Sequence, residues 1–577
     1  MCLYERDDEM IAGLPSNDTD VGARRSLADI YVNWFLRVWG ARDVRPWRLR
    51  AVFFTGLALI CGTTALVGAV PTRVFGHDIF FLLDNGWRVI NGQRPHLDYY
   101  SPWGPVTFLI TATGLTIAGY SVDGIGYGNA LVALLIGSWT FYLAKNRLTP
   151  PIRLILSFFL AVLVAAPYAL GTSPLLSSHA MVYNRYGYAL LGLIVLESFR
   201  SSSGDGRDTR AEWIGGISTG IALSLTLFLK ASYFLVAVAV VMILSASLRR
   251  LAIQRIAGLC LGGFFAAFCI LAYLHFDATA MMSDLRMAAD ARAESLGIGI
   301  PIFNLVNHTW FLLGVLAFGK ASALMFGSRV PWWRGWRLPA AGSFFFFVDI
   351  ALMSSNAQAD GFPICAVFAL LVLNEVIEDQ KTVPAHAAPP TVSYCAAALC
   401  IGPLLCIPLF VSDLTGIAYG AWNKAQPSPA TALHFTTHNL KPLLLYDTDG
   451  YHPRSNGRIY TTYVNDGVAL LERVTRPEER VLTMDMVNPF PYAMGRRPPR
   501  GGIAAMAYHY TLSDGHRPSD DAYFGDADIV MVPKHHASED VYYTDFWKAY
   551  EPGLRQRFTL IAESDWWLVY RRMGHGP

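Results

Sequence analysis

The chain has 577 residues, of which 53% are hydrophobic and only 16% charged, against about 25% charged in soluble globular proteins. The apolar residues come in blocks of roughly 17 to 20, the length that crosses about 30 Å of hydrocarbon as a helix. These features exclude a soluble single-domain enzyme and describe a polytopic α-helical membrane protein. The formal net charge of +2 names no partner, because the charges are segregated by loop, and nothing points to nucleic acid. Of the eight cysteines, Cys2 is terminal and the other seven, Cys61 to Cys406, lie in or beside apolar blocks. That pattern offers neither a disulfide framework nor a zinc ligand set. No cleavable signal peptide is expected, since about 50 mostly polar residues precede the first apolar block.

Residues 1–50 read as a cytoplasmic segment. Within it, Leu27, Ile30, Tyr31, Trp34, Phe35 and Val38 share one helical face, as in a helix lying on the membrane surface. Arg42, Arg45, Arg48 and Arg50 precede the first span, Ala51 to Val70, and set the N-terminus inside. The next apolar run, "PVTFLITATGLTIAG" (105–119), is short and rich in threonine and glycine. Placed in the outer interface and not across it, it puts "KNRLTPPIR" (145–153) inside. Every later basic cluster then follows: Arg200, Arg207 and Arg210; Arg249, Arg250 and Arg255; Lys320, Arg329, Arg334 and Arg337. The spans become 51–71, 125–144, 152–170, 184–199, 213–229, 232–248, 256–275, 303–318, 340–355, 361–377 and 393–411. These make about eleven transmembrane helices in a module from 51 to 412, with a first outer loop at 72–124. An odd number places residues 413–577 outside. The runs "ERVLTMDMV", "DADIVMVPK", "FTLIAES" and "WWLVYRR" predict strands there, and "YVNDGVALLERV" a helix. This is a C-terminal soluble α/β domain large enough to bury its own core. "VPAHAAPPT" (383–391) reads as a cytoplasmic linker.

The first outer loop is the richest in chemistry. "IFFLLDNGWRVING" predicts an amphipathic surface helix with Ile79, Leu83, Trp87 and Ile90 on one face and an Asp84–Arg88 pair on the other. Asn91-Gly92 should end it. "NGQRPHLDYYSPWGP" (91–105) is then a rigid elbow before a second surface helix. Two carboxylates mark the loop: Asp78, one residue before the predicted helix and so positioned as a cap, and Asp98 in the elbow. A carboxylate at the bilayer edge needs a partner or a task to offset its desolvation.

The stretch "HDIFFLLDNGWRVINGQRPHLDYYSPWGPV" resembles the first periplasmic loop of the GT-C glycosyltransferases. These multispan enzymes include protein O-mannosyltransferases and the aminoarabinose transferase of lipid A. Their loop has an aspartate just after the first span, a surface helix ending in glycine, a Pro-Tyr-Asp-like turn and a Pro-rich second surface helix. Asp78, Gly92, Pro95, Asp98 and Pro105 take those places, with His96 where the family often has tyrosine. The similarity covers the N-terminal half; the remainder matches by layout. It implies inverting transfer of a sugar from a polyprenyl-phosphate-linked donor to a glycan, lipid or protein acceptor at the periplasmic face of a bacterial inner membrane. It further implies Asp78 as the general base. Carboxylates at an interface are partly desolvated, which moves their proton affinity toward the range useful to a base. Metal use differs among these families, so a divalent ion such as magnesium or manganese stays open, and no residue is assigned to one.

In such an enzyme His77, Arg94, Asp98 and Tyr99 of the same loop become candidate substrate contacts. Lys230, the only charge between two spans, either snorkels to the surface or, where the family often has a similar lysine, is in place to pair with the donor phosphate. His179, Asn184 and Arg185 form a candidate polar cluster facing the same cavity. The family often has a second acidic residue there, and this chain has none. In the third outer loop Arg286 and Arg292 could reach phosphate, though their charged helix reads first as a solvated face. Asn356, Gln358 and Asp360 end a span and suit sugar hydroxyls or helix caps. Two motifs are set aside: "DTDG" (447–450) is too short and too remote from a nucleotide fold, and His535-His536 are adjacent and diverge. Two rivals remain: a flippase or transporter of lipid-linked glycans, and a non-catalytic scaffold. A transporter needs ionisable groups near mid-span or broken helices, and Asp349 is the main such group.

Overall fold

A computed structural model describes residues 31–32, 34–35, 38–39, 44–199, 209–248, 252–295, 297, 299–325, 335–356, 358–380, 389–426, 433–447, 457–536 and 540–574. Arg42, Arg200, Arg207, Arg249, Arg250, Arg329 and Arg334, most of the 383–391 linker, residues 448–450 of "DTDG", and Leu27 and Ile30 lie outside them. All eleven expected spans coincide with helices, from Pro46–Val67 through Pro389–Ala425. Among the described residues, five helices are long and apolar enough to cross a membrane: Pro46–Val67, Gly124–Leu143, Ile253–Tyr273, Arg337–Ser355 and the apolar length of Pro389–Ala425. A sixth crossing arises if Gly299–Asn307 and Thr309–Leu324, bent by 58° at His308, count as one. The chain is thus a multi-pass membrane protein. Val106–Ile117, with 12 residues, extends about 18 Å along its axis and falls short of the hydrocarbon thickness.

Glycine spacing explains the tightest pair of helices. Thr209–Leu227 and Ile253–Tyr273 meet at Gly216, Gly220, Gly258 and Gly262, where an added Cβ would lie 2.1–2.7 Å from facing backbone oxygens. Small residues at such spacing let two backbones approach in lipid.

The loops sort to two ends of the bundle. At one end Arg147 bonds Glu197 (2.9 Å), and Arg255 reaches Glu197 (3.5 Å) and Glu212 (3.7 Å). These residues border three of the loops assigned to the cytoplasm. At the other end Gly104 N–H meets the Leu229 carbonyl (3.2 Å), His96 meets Asp284 (2.9 Å), and Lys424 meets Asp123 (3.0 Å). The grouping is the one that a non-crossing 106–117 helix requires. A reporter fused after Arg147 is therefore expected to read cytoplasmic; an outward reading would mean that residues 106–117 cross.

The last bundle helix runs on past residue 412 to Ala425, despite Pro403 and Pro408, so the start assigned to the outer domain falls within a helix. Beyond it, β1 (Leu433–His434) and β2 (Leu444–Leu445) form a short ladder. The main sheet has the order β3 (Val481–Thr483), β4 (Ile529–Pro533), β6 (Trp567–Arg572), β5 (Phe558–Glu563). β3 and β4 are parallel and the rest antiparallel. Helices Gly457–Val474 and Asp540–Arg557 pack around it. The four predicted strands and the predicted helix all form.

The N-terminal surface residues are helical where described. Tyr31 donates to the Leu399 carbonyl (3.0 Å) and Phe35 is buried, while Trp34 and Val38 are exposed.

Candidate functional site

The first surface helix begins at Gly76, three residues earlier than expected. Its cap is Phe75, held at φ +53°, so Asp78 lies in the first turn and not at the cap. There the carboxylate faces the positive end of the helix dipole. Among the described residues its ion-pair partner is His77, with Nε2 3.2 Å from Oδ1, and the Asp78 side chain keeps 18% of its exposure. A carboxylate that is partly accessible and not consumed by capping is available to a substrate.

Two tyrosines from distant segments flank it. Tyr183, at the head of Val182–Phe199, and Tyr460, on the first long helix of the C-terminal domain, are within electrostatic reach of Asp78. Trp103 of the elbow hydrogen-bonds Tyr183, and Phe81 packs against both rings at 4.8 and 6.1 Å. The Lys230 ammonium sits 5.1 Å from the Tyr183 ring centroid. Lys230 donates to the Asn356 side-chain oxygen, and Asn356 donates to the Tyr233 hydroxyl (3.1 Å). Burial pushes the Lys230 ammonium down to about 7, and the nearby positive charge of Arg292 acts in the same direction. Arg292 also lies over the Tyr510 ring at 4.1 Å. Asp78 and Lys230 thus each neighbour Tyr183, and Asn356 and Arg292 neighbour Lys230. Sequence reasoning missed Tyr183, Tyr233 and Tyr460; "VYNRYGY" offered three tyrosines with nothing to single out the first.

Other candidates lie elsewhere. Asp98 accepts from Arg94 N–H (2.7 Å) and pairs with Arg500 (3.3 Å), so it closes the elbow and ties it to the soluble domain. Arg94 lies over Tyr273 at 5.8 Å and Tyr99 lies under the Arg88 guanidinium at 4.7 Å. The expected second cluster does not face this site. Arg185 is fully buried, bonded to Asp413 (2.8 Å) and to the carbonyls of Leu163 (2.9 Å) and Tyr168 (3.0 Å). Its charge is neutralised by an aspartate 228 residues away. His179 accepts from Val70 N–H (3.0 Å) where the first span ends, and burial pushes its imidazolium down to about 4, so it is neutral there. Asn184 is buried in the first turn of its helix, its N–H on the Met181 carbonyl (2.9 Å). Arg286 is 85% exposed beside Asp290, a solvated face as read. Gln358 and Asp360 hold the turn before Pro363: Gln358 donates to the Asp360 carbonyl (2.7 Å), and Asp360 accepts from Gly361 N–H (2.6 Å). His535 lies against Trp566 and His536 is stacked on Tyr543, so the adjacent pair does diverge.

The Asp84–Arg88 pair forms at 2.9 Å, yet on a buried face and not an exposed one. Burial raises the Asp84 pKa and Arg88 offsets that shift. Asp349 accepts from the N–H groups of Ile364 (3.2 Å) and Cys365 (2.9 Å), at the start of the next helix. A helix N-terminus is a ready site for a buried anion.

For a divalent ion, Asp78 has His77 as its adjacent donor, with Nε2 3.2 Å from Oδ1. No group of three or more His, Cys, Asp or Glu side chains is arranged to hold one among the described residues. The set fits such an ion poorly, and no step below runs through a metal.

The chain is similar to ArnT. Two crystal structures of ArnT from Cupriavidus metallidurans, one bound to undecaprenyl phosphate and one in the apo state, align over 92% and 91% of this chain and 100% and 99% of theirs. The identities are 10% and 12%, and the TM-scores 0.47 and 0.46. No family model and no curated protein matches the sequence.

Proposed function

We propose that the protein is an inverting membrane glycosyltransferase of the GT-C kind. It takes a sugar from a polyprenyl-phosphate donor at the outer face of a bacterial inner membrane and passes it to an acceptor hydroxyl. The observation that carries this reading is that Asp78 and Lys230 both lie beside Tyr183, with Arg292 near Lys230. One side of the site suits a base and the other suits a leaving phosphate. Asp78 takes the proton of the acceptor hydroxyl as its oxygen bonds the anomeric carbon. The bond from that carbon to the phosphate oxygen breaks with its electron pair, from the opposite face, and the configuration inverts. The charge that develops on the leaving phosphate is met by Lys230 and Arg292, cations placed before the reaction begins. The lipid tail stays in hydrocarbon.

A transporter reading keeps the helix break at His308 but loses its mid-span ionisable groups. The buried Asp349 is accounted for by the helix it caps, and the Arg185–Asp413 pair satisfies itself.

The donor side is testable through protons. With no donor bound, Lys230 is a cation below about pH 7 and neutral above it, so each further pH unit lowers the charged fraction about tenfold. Polyprenyl phosphate binding, followed by native mass spectrometry from pH 6 to 9, is expected to weaken above pH 7 in the wild type. In Lys230→Arg the guanidinium stays charged and this dependence should flatten. Superimposable curves would remove Lys230 from the phosphate site.

A further inference from the structure

We propose that the C-terminal domain is a working part of the catalytic centre, because it sets the orientation of the helix that carries Asp78, with Arg88 as the positioning residue. This rests on the function proposed above and assigns a task to the domain within it.

The helix Gly76–Ile90 is gripped at both ends by residues some 350 to 420 positions downstream. At its tail, Arg88 donates to the carbonyls of Pro499 (2.9 Å) and Gly501 (3.1 Å), to Gln93 (3.2 Å) and to Asp84 (2.9 Å). Trp87 donates its indole N–H to the Arg496 carbonyl (2.8 Å), and Gln93 donates to the Pro498 carbonyl (2.8 Å). At mid-helix Asn85 donates to the Ala504 carbonyl (3.0 Å). At its head, two residues from Asp78, the Phe80 ring meets Tyr460 at 5.6 Å and Phe435 at 5.8 Å.

The segment "RRPPRGG" (496–502) is shaped for this task. Its two prolines have no N–H of their own to satisfy and present carbonyls to Arg88 and Gln93. Gly501 and Gly502 take φ values of +94° and +77°, conformations that glycine adopts freely. An added Cβ on Gly502 would lie 3.4 Å from the Arg88 Nη2. Backbone bonds extend the seam: Gly501 N–H to the Asp98 carbonyl (2.6 Å), Ala504 N–H to Tyr100 (2.9 Å) and Thr72 N–H to Leu444 (2.8 Å).

Two separated grips fix both tilt and rotation. Helical residues are about 100° apart around the axis, so a slip of one residue at the tail would swing Asp78 away from Tyr183. An isolated ion pair would tolerate that slip. A planar guanidinium shared among two carbonyls, an amide and a carboxylate does not.

Arg88→Lys keeps the charge opposite Asp84 and removes the fork. The variant, purified as the full chain, is expected to retain polyprenyl phosphate within about twofold by native mass spectrometry, since Lys230 and Arg292 stand on other segments. The glycan product in cells should fall at least tenfold, and amide deuterium uptake should rise across 76–90 but not across 124–143. If Arg88→Lys does not yield folded protein, Trp87→Phe with Gln93→Leu cuts two ties at the same helix end and should give the same split, reduced in size. Full product with the ties cut would overturn the proposal. So would loss of bound lipid in step with product, which would mark a general structural collapse. An unchanged glycan profile in Asp78→Asn would instead count against the underlying function.

Discussion

Asp78→Asn is expected to lower the transfer product by 10²- to 10⁴-fold, the usual worth of a positioned general base, while bound donor lipid and protein level stay the same. Asparagine fills the same volume and keeps a polar atom in the first turn of the helix. What it cannot do is accept a proton from a hydroxyl at neutral pH. The carboxylate makes no capping bond that would be lost; its ion-pair partner among the described residues is the adjacent His77. A fall in activity with an unchanged thermal midpoint therefore reads as chemistry and not as folding. The measurement is the profile of lipid-linked and surface glycans in cells carrying only the variant. An unchanged profile at normal protein level would remove Asp78 from the role of base.

The largest effect on stability is expected at Arg185. The guanidinium and the Asp413 carboxylate are both essentially inaccessible, and each has further partners: Arg185 holds the carbonyls of Leu163 and Tyr168, and Tyr168 donates to Asp413 (2.7 Å). Removing one member of a buried pair strands the other charge, at a cost of about 3–5 kcal/mol. Arg185→Met is expected to lower the thermal midpoint in detergent sharply or to abolish monodisperse protein. Arg185→Met with Asp413→Leu should recover part of the loss, because no charge is stranded. It should not recover all of it, since the two carbonyls still lose their donor. A single variant as stable as the wild type would show that the pair is dispensable. The contrast with Asp78 is one of exposure: the Asp413 carboxylate is inaccessible and paired with Arg185, whereas the Asp78 side chain keeps 18% of its exposure.

Much of the fold was legible because membrane helices must satisfy their own backbone, so apolar block length and basic loops carry the architecture. Gly92 ended the surface helix as its sequence position required, at φ +81°. The break at His308 and the continuation of the last helix to Ala425 were not legible. A bend shows no change in hydropathy, and polar residues after 412 look like a loop until Asp413 and Lys424 find partners. In the site, Asp78, Lys230 and Asn356 were visible as polar residues out of place at membrane level. Their neighbourhood was not, because it runs through Tyr183, which lies near both Asp78 and Lys230. Likewise the Asp84–Arg88 pair was read from its spacing, but its burial depends on carbonyls supplied by residues 499 and 501. Arg185 drew attention for the same reason as Lys230 and proved structural, since a sequence shows a charge but not the distant partner that neutralises it.

The most direct measurement is native mass spectrometry of the gently purified wild-type protein, with Lys230→Arg beside it through the pH range. A copurifying polyprenyl phosphate, weakened above about pH 7 in the wild type only, is the result expected of a donor site built on Lys230. A protein that retains other membrane lipids yet never carries a polyprenyl phosphate would contradict it.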